Sequence, residues 1–266
     1  VDRIVVTVTS TAQARVRELI DKIRNLPQEI ILVLDLDGFN PEQTSLARVV
    51  DAPAAYISGA PRDVRRAAVK QVFDVTVSAS ALIVLAIPMA LIALLIKMDS
   101  KGPVFFRQKR HGFNNEIIRV WKFRTMRPDK TAEEGIIRQT QIGDPRVTKL
   151  GGFLRRTSLD ELPQLFNVIK GEMSIVGPRP HAVGMTAGSI EVTRTVGDYA
   201  HRHRMKPGMT GWAQVNGSRG PCHTPEEVRE RVRLDMDYVK RATIWLDAWI
   251  VLITVPCLLG DRQKAR

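Results

Sequence analysis

Cysteine, tyrosine and, over one long stretch, charge are scarce in this chain of 266 residues, and each shortage narrows what the protein can be. Cys222 and Cys257 stand alone without metal-site spacing, so no disulfide framework is expected, which suits a reducing cytoplasm. The five histidines, His111, His181, His201, His203 and His223, show no metal spacing either, and His201-x-His203 reads as exposed surface. With three tyrosines and no recognisable nucleic-acid module, no nucleic acid is expected as a partner, despite a formal net charge of +12. The main apolar run is internal, so it is not a secretory leader.

That run, residues 75–96, reads V-T-V-S-A-S-A-L-I-V-L-A-I-P-M-A-L-I-A-L-L-I and contains no charged residue. At a rise of about 1.5 Å per residue it is long enough to span a bilayer. Pro88 inside it removes one N–H and crowds the carbonyl of Val84, which predicts a kink or break. Arg62, Arg65, Arg66 and Lys70 precede the run; Lys97, Lys101, Arg107, Lys109 and Arg110 follow it. Basic flanks favour the cytoplasmic side, so equal loading predicts a re-entrant helix-break-helix hairpin over residues 70–101 with both ends on one face. A kinked spanning helix and a buried core helix are the competing readings. Each basic residue beside an anionic leaflet is worth roughly 1 kcal/mol, so anionic lipid headgroups are an expected partner.

Residues 1–58 read as a separate, partial nucleotide-binding-like βαβ unit: strand 3–8, amphipathic helix 11–26, strand 29–36. The chain begins with Val rather than Met, so more of this unit is expected upstream. Unsatisfied strand edges could pair across a homodimer. Residues 53–61, rich in Pro, Gly and Ala, suggest a linker, extended over 59–69 before the hairpin. Asp35 and Asp37 follow the second strand as a nucleophile and its partner do in haloacid-dehalogenase-like phosphotransferases. An ordinary acidic turn at Gly38 and Pro41 is the simpler account, because that family needs a full sheet and further motifs.

Residues 102–260 carry the chemistry, and 261–266 form a basic tail. Residues 120–126, V-W-K-F-R-T-M, alternate like a strand with Lys122 and Arg124 on one face. Residues 143–146 form a turn. Residues 157–180 then place adjacent carboxylates, Asp160 and Glu161, among Arg155, Arg156 and Arg179. Apolar positions Leu159, Leu162, Leu165, Phe166 and Ile169 predict one helix with both acids in its first turn, where backbone N–H groups would meet an anion. A capping box, Ser158-x-x-Glu161, explains the acids equally well, although Pro163 argues for a cap nearer Asp160. Residues 206–220, K-P-G-M-T-G-W-A-Q-V-N-G-S-R-G, read as a loop whose glycines let backbone approach a ligand while Trp212, Gln214, Asn216 and Arg219 stack or hydrogen-bond; a structural turn with a buried Trp competes. Residues 225–241 form a solvated helix capped by Thr224, and 245–259 an interfacial helix led by Trp245 and Trp249, with a packed core helix as the rival.

Taken in order, K-Q-V-F-D, the apolar run with Pro88, G-P-V-F-F-R-Q-K-R, W-K-F-R-T-M, D-P-R-V-T, R-R-T-S-L-D-E-L-P-Q-L-F-N-V, G-P-R-P, K-P-G-M-T-G-W-A-Q-V-N-G and W-L-D-A-W resemble the polyprenyl-phosphate glycosyl-1-phosphate transferases, the bacterial sugar transferases. The resemblance implies an α+β, mostly helical monotopic enzyme at the cytoplasmic face of a bacterial inner membrane. It would move a sugar-1-phosphate from a UDP-sugar to undecaprenyl phosphate, release UMP and start capsule, exopolysaccharide or O-antigen assembly. It maps Asp160 onto the nucleophile and Glu161 onto its partner, both associated with Mg²⁺, and Arg155 and Arg179 onto phosphate-binding positions. Lys122, Arg124, Gln214 and Arg219 are further substrate-binding candidates. Many members have Ser before the hairpin proline where this chain has Ile87, which implies a softer break. Gly217-Ser218-Arg219-Gly220 leans toward glucose or galactose. A catalytically silent, anionic-lipid-binding scaffold and the Asp35 phosphotransferase are the alternative functions.

Overall fold

Two strands at the N-terminus, β1 (Arg3–Val8) and β2 (Glu29–Leu34), pair in parallel from Arg3 against Glu29 to Val8 against Leu34. A parallel pair needs a crossover, which agrees with the strands of the expected βαβ unit. This computed structural model describes residues 3–8, 29–34, 47–49, 52–58, 64–127, 144–181, 186–187, 190–191, 199–220, 222 and 224–260. The expected helix at 11–26 and both Asp35 and Asp37 lie outside them. Two further strands, β3 (Ala47–Val49) and β4 (Ala52–Ser58), complete a sheet of order β1-β2-β4-β3. Residues 53–58 are therefore not linker. Pro53 sits at the start of β4, and the antiparallel pairing with β2 supplies what its composition does not suggest.

Helix α1 (Val64–Asp99) takes up the second half of the expected linker and all of the apolar run. It is one helix of 36 residues with Pro88 inside, not two arms joined by a break. Its inner face touches protein at nearly every turn. Asp74 and Ser78 are buried near one end, and Val77, Ala81, Leu82 and Leu85 pack on the main core. Met89, Ile92 and Ile96 are buried against Phe123 and Leu154 toward the other end. The outward face stays apolar: Ile83, Val84 and Ile87 are 78%, 75% and 74% exposed.

After α1, strands β5 (Phe105–His111) and β6 (Ile117–Phe123) form an antiparallel hairpin, turned by Asn114 and Asn115 at positive φ. Helix α2 (Lys149–Thr157) starts at Thr148, whose hydroxyl accepts from the Gly151 amide at 2.9 Å, and ends at Ser158 in the left-handed region. A 3₁₀ turn (Leu159–Glu161) follows, and α3 (Gln164–Ile169) begins after Pro163. Strand β7 (Ser174–Val176) comes next, then the short β8 (Thr186–Ala187) and β9 (Ile190–Glu191) and a 3₁₀ helix (Tyr199–Arg204). Strand β10 (Gly208–Thr210) pairs in parallel with β7, leading into the single-turn α4 (Trp212–Val215).

This part of the 206–220 stretch is a strand and a helical turn, not a loop. Its glycines let backbone meet backbone: a Cβ on Gly208 would lie 2.1 Å from the Gly177 nitrogen, and one on Gly211 would lie 2.3 Å from the Gly177 oxygen. Trp212 packs on the core, with the Arg241 guanidinium 5.2 Å from its ring centre.

The chain closes with α5 (Pro225–Arg241) and α6 (Ile244–Gly260). Thr224 caps α5 as expected, accepting from Glu227, but the helix is only half solvated, since Val228, Arg231, Val232, Asp235 and Tyr238 are buried. Helix α6 combines the two readings offered for it. Ile250 and Asp247 are buried, whereas Trp245 and Trp249 are 86% and 55% exposed. The main core, Val120, Leu165, Val168, Met173, Ile175, Val176, Tyr238 and Ile250, lies where β6, α3, β7, α5 and α6 meet under α1.

Candidate active site

Asp160 and Glu161 sit on the tight 3₁₀ turn between α2 and α3, not in a first α-helical turn. The expected capping box is absent because Ser158 ends α2, and its hydroxyl accepts from Arg219 Nη2 at 2.5 Å instead of capping the next segment. The turn aims both acids at β6. Lys122 Nζ lies 2.7 Å from Glu161 Oε1 and 3.9 Å from Asp160 Oδ2. From the Gly-Pro-Arg-Pro turn after β7, Arg179 grips the other side of Glu161, with Nη2 donating to Oε1 at 2.8 Å and Nη1 to Oε2 at 3.3 Å. Arg110 from β5 and Gln164 from α3 complete the lining of a narrow cleft with Val120, Lys122, Glu161, Arg179 and Pro180, and Asp160 stands beside that lining.

Electrostatics divide the two acids. Burial pushes the Glu161 carboxyl up, but the charges and hydrogen bonds of Arg179 and Lys122 outweigh it and hold the carboxyl well below the usual carboxylate range. Asp160 moves the other way. Burial raises its pKa to about 6, with help from the neighbouring Glu161 charge and against the more distant Lys122, Arg155 and Arg179. Glu161 is paired with both Lys122 and Arg179, while the contact of Asp160 with Lys122 Nζ is looser, at 3.9 Å.

The other expected residues divide as well. Arg155 acts on Asp160 through its charge. Arg219 braces the turn through Ser158 and reaches the Cys257 carbonyl at 3.3 Å. Gln214 donates to the Met209 carbonyl at 3.3 Å, and its buried Oε1 has no partner. Arg124 leaves the cluster. It lies just beyond β6, and its guanidinium donates to the carbonyls of Ile96, Ser100 and Lys101 and to the Ser100 hydroxyl, so it caps the end of α1.

Behind Arg179 stands a buried polar layer that spacing did not reveal. Arg202 pairs with Asp235 at 2.6 Å and donates to the Arg179 carbonyl at 2.6 Å. It also meets the His181 ring, whose Nδ1 lies 2.6 Å from the Tyr199 hydroxyl. Burial, then the Arg202 charge, hold His181 well below its ordinary pKa, so it is neutral. His203, expected on the surface, is buried, and its ring lies 5.6 Å from that of Tyr199. These residues scatter over 181–235 and converge only in three dimensions. Arg110 was read from sequence merely as a flanking charge. The register that places Gln108 opposite Val120 and Arg110 opposite Ile118 puts it on the Lys122 face of the hairpin.

As metal donors, Asp160 and Glu161 offer hard carboxylate oxygens, and among the described residues no group of three or more His, Cys, Asp or Glu gathers. That fits an ion such as Mg²⁺, which takes one or two carboxylates and completes its shell with phosphate oxygens and water, and does not fit a four-ligand protein cage.

An acid pair paired with Lys and Arg thus stands beside a narrow cleft, on a domain that bears a long apolar helix. The chain belongs to the bacterial sugar transferase family, whose sequence profile matches residues 65–261. It is 50% identical over 186 residues to the undecaprenyl-phosphate glucose phosphotransferase of Komagataeibacter xylinus, covering 70% of this chain and 35% of that protein. It is 40% identical over 242 residues to the UDP-glucose:undecaprenyl-phosphate glucose-1-phosphate transferase of Escherichia coli K12, covering 91% of this chain and 51% of the relative. The exopolysaccharide production protein PSS of Rhizobium leguminosarum is 50% identical over 186 residues and 92% covered. The chain thus spans about half or less of the length of the first two relatives.

Proposed function

We propose that the protein transfers a hexose-1-phosphate, glucose-1-phosphate first among the candidates, from a UDP-sugar to undecaprenyl phosphate and releases UMP, as an initiating step of exopolysaccharide, capsule or O-antigen assembly. The observation that carries this reading is the division of labour in the acid pair. Glu161 anchors Lys122 and Arg179, and Asp160 beside it keeps its carboxylate available. An Asp160 oxygen attacks the phosphorus that bears the sugar, the bond from that phosphorus to the bridging oxygen breaks, and UMP leaves with that oxygen. A phosphate oxygen of the lipid then attacks the same phosphorus, and the phosphorus–Asp160 bond breaks to restore the carboxylate. Lys122 and Arg179 lie where negative charge builds up in both displacements. Held by Asp160 and Glu161, Mg²⁺ would neutralise phosphate charge in the cleft.

Placement at a membrane surface, on the cytoplasmic face of the inner membrane, is supported by α1 and by the basic flanks of its apolar run. A spanning helix would need about 20 residues in lipid, standing clear of the domain. The contacts of α1 leave no such interval, since Asp74, Ser78, Leu82, Leu85, Met89, Ile92 and Ile96 all pack on the same body. The helix therefore lies along the domain with Ile83, Val84 and Ile87 turned out, and Trp245 and Trp249 supply a second apolar surface for the headgroup region, where anionic lipid meets the basic chain. Edge strands β1 and β3 of the N-terminal sheet are where a homodimer would form.

The deciding experiment supplies UDP-glucose and Mg²⁺ without lipid. Wild type is expected to release up to one UMP per site, and Asp160→Asn none; absence of this burst in an enzyme that turns over with lipid would exclude the covalent route. Salt-sensitive liposome binding without turnover on any UDP-sugar would instead point to the scaffold. Against the scaffold stands the cost of burying Asp160 and Glu161 with their cations, which lipid binding does not require.

A further inference from the structure

Arg110 is the cation in the cleft that the acid pair leaves unmatched. Lys122 and Arg179 each have a carboxylate within ion-pair distance, both on Glu161. Among the described residues the Arg110 guanidinium has none within that distance, although the Glu161 and Asp160 charges act on it from farther away; Nη1 donates to the Pro180 carbonyl and Nη2 to the Gln108 side-chain oxygen at 2.8 Å, both neutral acceptors. Its Nε–H is buried and without any acceptor. Burial, and then the charge of Arg179, lower its pKa to about 10, so it remains protonated at neutral pH. An arginine side chain buried beside a cleft with one donor unused is costly unless an anion completes it. The two bonds it does make fix the plane of the guanidinium, with Gln108 two residues away on the same strand and Pro180 directly after Arg179.

We infer that Arg110 is a phosphate-binding residue of this cleft, its Nε–H donating to a phosphate oxygen of the ligand alongside Lys122 and Arg179. This rests on the reading above that the cleft receives phosphate esters. The donor diphosphate and the acceptor lipid phosphate share the required chemistry, and two probes separate them. The Gln108 and Pro180 contacts make Arg110 part of the connection between the hairpin and the turn that carries Arg179.

The test uses the full chain in detergent micelles and measures binding of UDP and, separately, of undecaprenyl phosphate to wild type, Arg110→Gln and Arg110→Lys. Loss of one charge-assisted hydrogen bond should weaken at least one probe by about tenfold or more in Arg110→Gln, with Arg110→Lys recovering part of it. Weakened UDP binding assigns the donor diphosphate, and weakened lipid binding assigns the acceptor. A melting temperature of Arg110→Gln equal to or above wild type agrees with the removal of an unmatched buried charge. Unchanged affinity for both probes, or a wild type that binds neither, overturns the inference. If the affinities shift as expected but wild type transfers no sugar phosphate, the inference stands and the proposed reaction fails.

Discussion

At the scale of single residues, two adjacent carboxylates differ because their neighbours differ. Asp160 has its pKa raised to about 6 by burial, against an ordinary 3.8, so without a bound metal it is ionised at pH 7 and protonated below 6. In the proposed reaction, single-turnover UMP release should fall in acid with a midpoint at or below about 6, since Mg²⁺ on the carboxylate favours its charged form. The same shift has a stability consequence of definite sign. A raised folded-state pKa gives a contribution present below about pH 4 and lost as the pH rises through 6. Asp160→Asn is accordingly expected to melt higher than wild type at pH 7.5, by up to about 3 kcal/mol, with the difference vanishing at pH 4. Arg124 shows how a residue can be seen in sequence and assigned the wrong neighbours. Alternation along β6 put it with Lys122, but the strand ends at Phe123 and the chain turns, so its guanidinium meets the carbonyls at the end of α1. Arg124→Ala should cost about 2–3 kcal/mol in thermal or chemical denaturation and leave the KM for UDP-sugar unchanged.

At the scale of elements, the acidic segment was legible as a helix but not as a helix interrupted by a tight turn. Its apolar residues repeat at three and four, a period that α3 and the preceding 3₁₀ turn share closely enough to look continuous. What breaks the helix is Ser158 in the left-handed region, with Pro163 placed at the following start. The interruption serves the site, because it swings Asp160 and Glu161 toward Lys122 of β6. Strands β7 and β10 escaped detection because each has three residues, too few to show alternation. They depend on Gly177 and Gly208, where two backbones come closer than a side chain permits. Gly208→Ala would set its new carbon 2.1 Å from the Gly177 nitrogen and should destabilise the domain by about 3 kcal/mol or more, read as lost expression or a lower melting temperature.

At the scale of the whole molecule, α1 is the element that would join the domain to an apolar phase in the proposed placement. Lys70 ties its first part down, pairing with Asp74 at 3.2 Å and with Asp247 of α6 at 2.8 Å, while the Asp74 carboxylate accepts from the Ile175 amide of β7 at 3.1 Å. Arg124 ties down the other end. Both ends are thus fixed to one body, and the proposed membrane placement requires them to lie on one side of the bilayer. Single cysteines introduced at Arg66 and Lys101 should both resist a membrane-impermeant maleimide applied to intact spheroplasts and both react after lysis. Labelling of one but not the other before lysis would mean that the helix crosses.

Sequence alone determined the family and the features on which the proposed chemistry and setting rest: an uncharged run with basic flanks, an acid pair among arginines, and motifs in family order. These are legible because charge, length and residue order are properties of the chain itself. Tertiary structure decided which cation meets which acid, because Lys122, Asp160 and Arg179 are distant in sequence and ion pairs form only over a few ångströms. It alone separated Arg124 from the cleft and brought Arg110 into it, through where β6 ends and how β5 pairs with it. It also made the apolar run one helix packed along a domain, an outcome set by contacts made across the fold that no local pattern encodes.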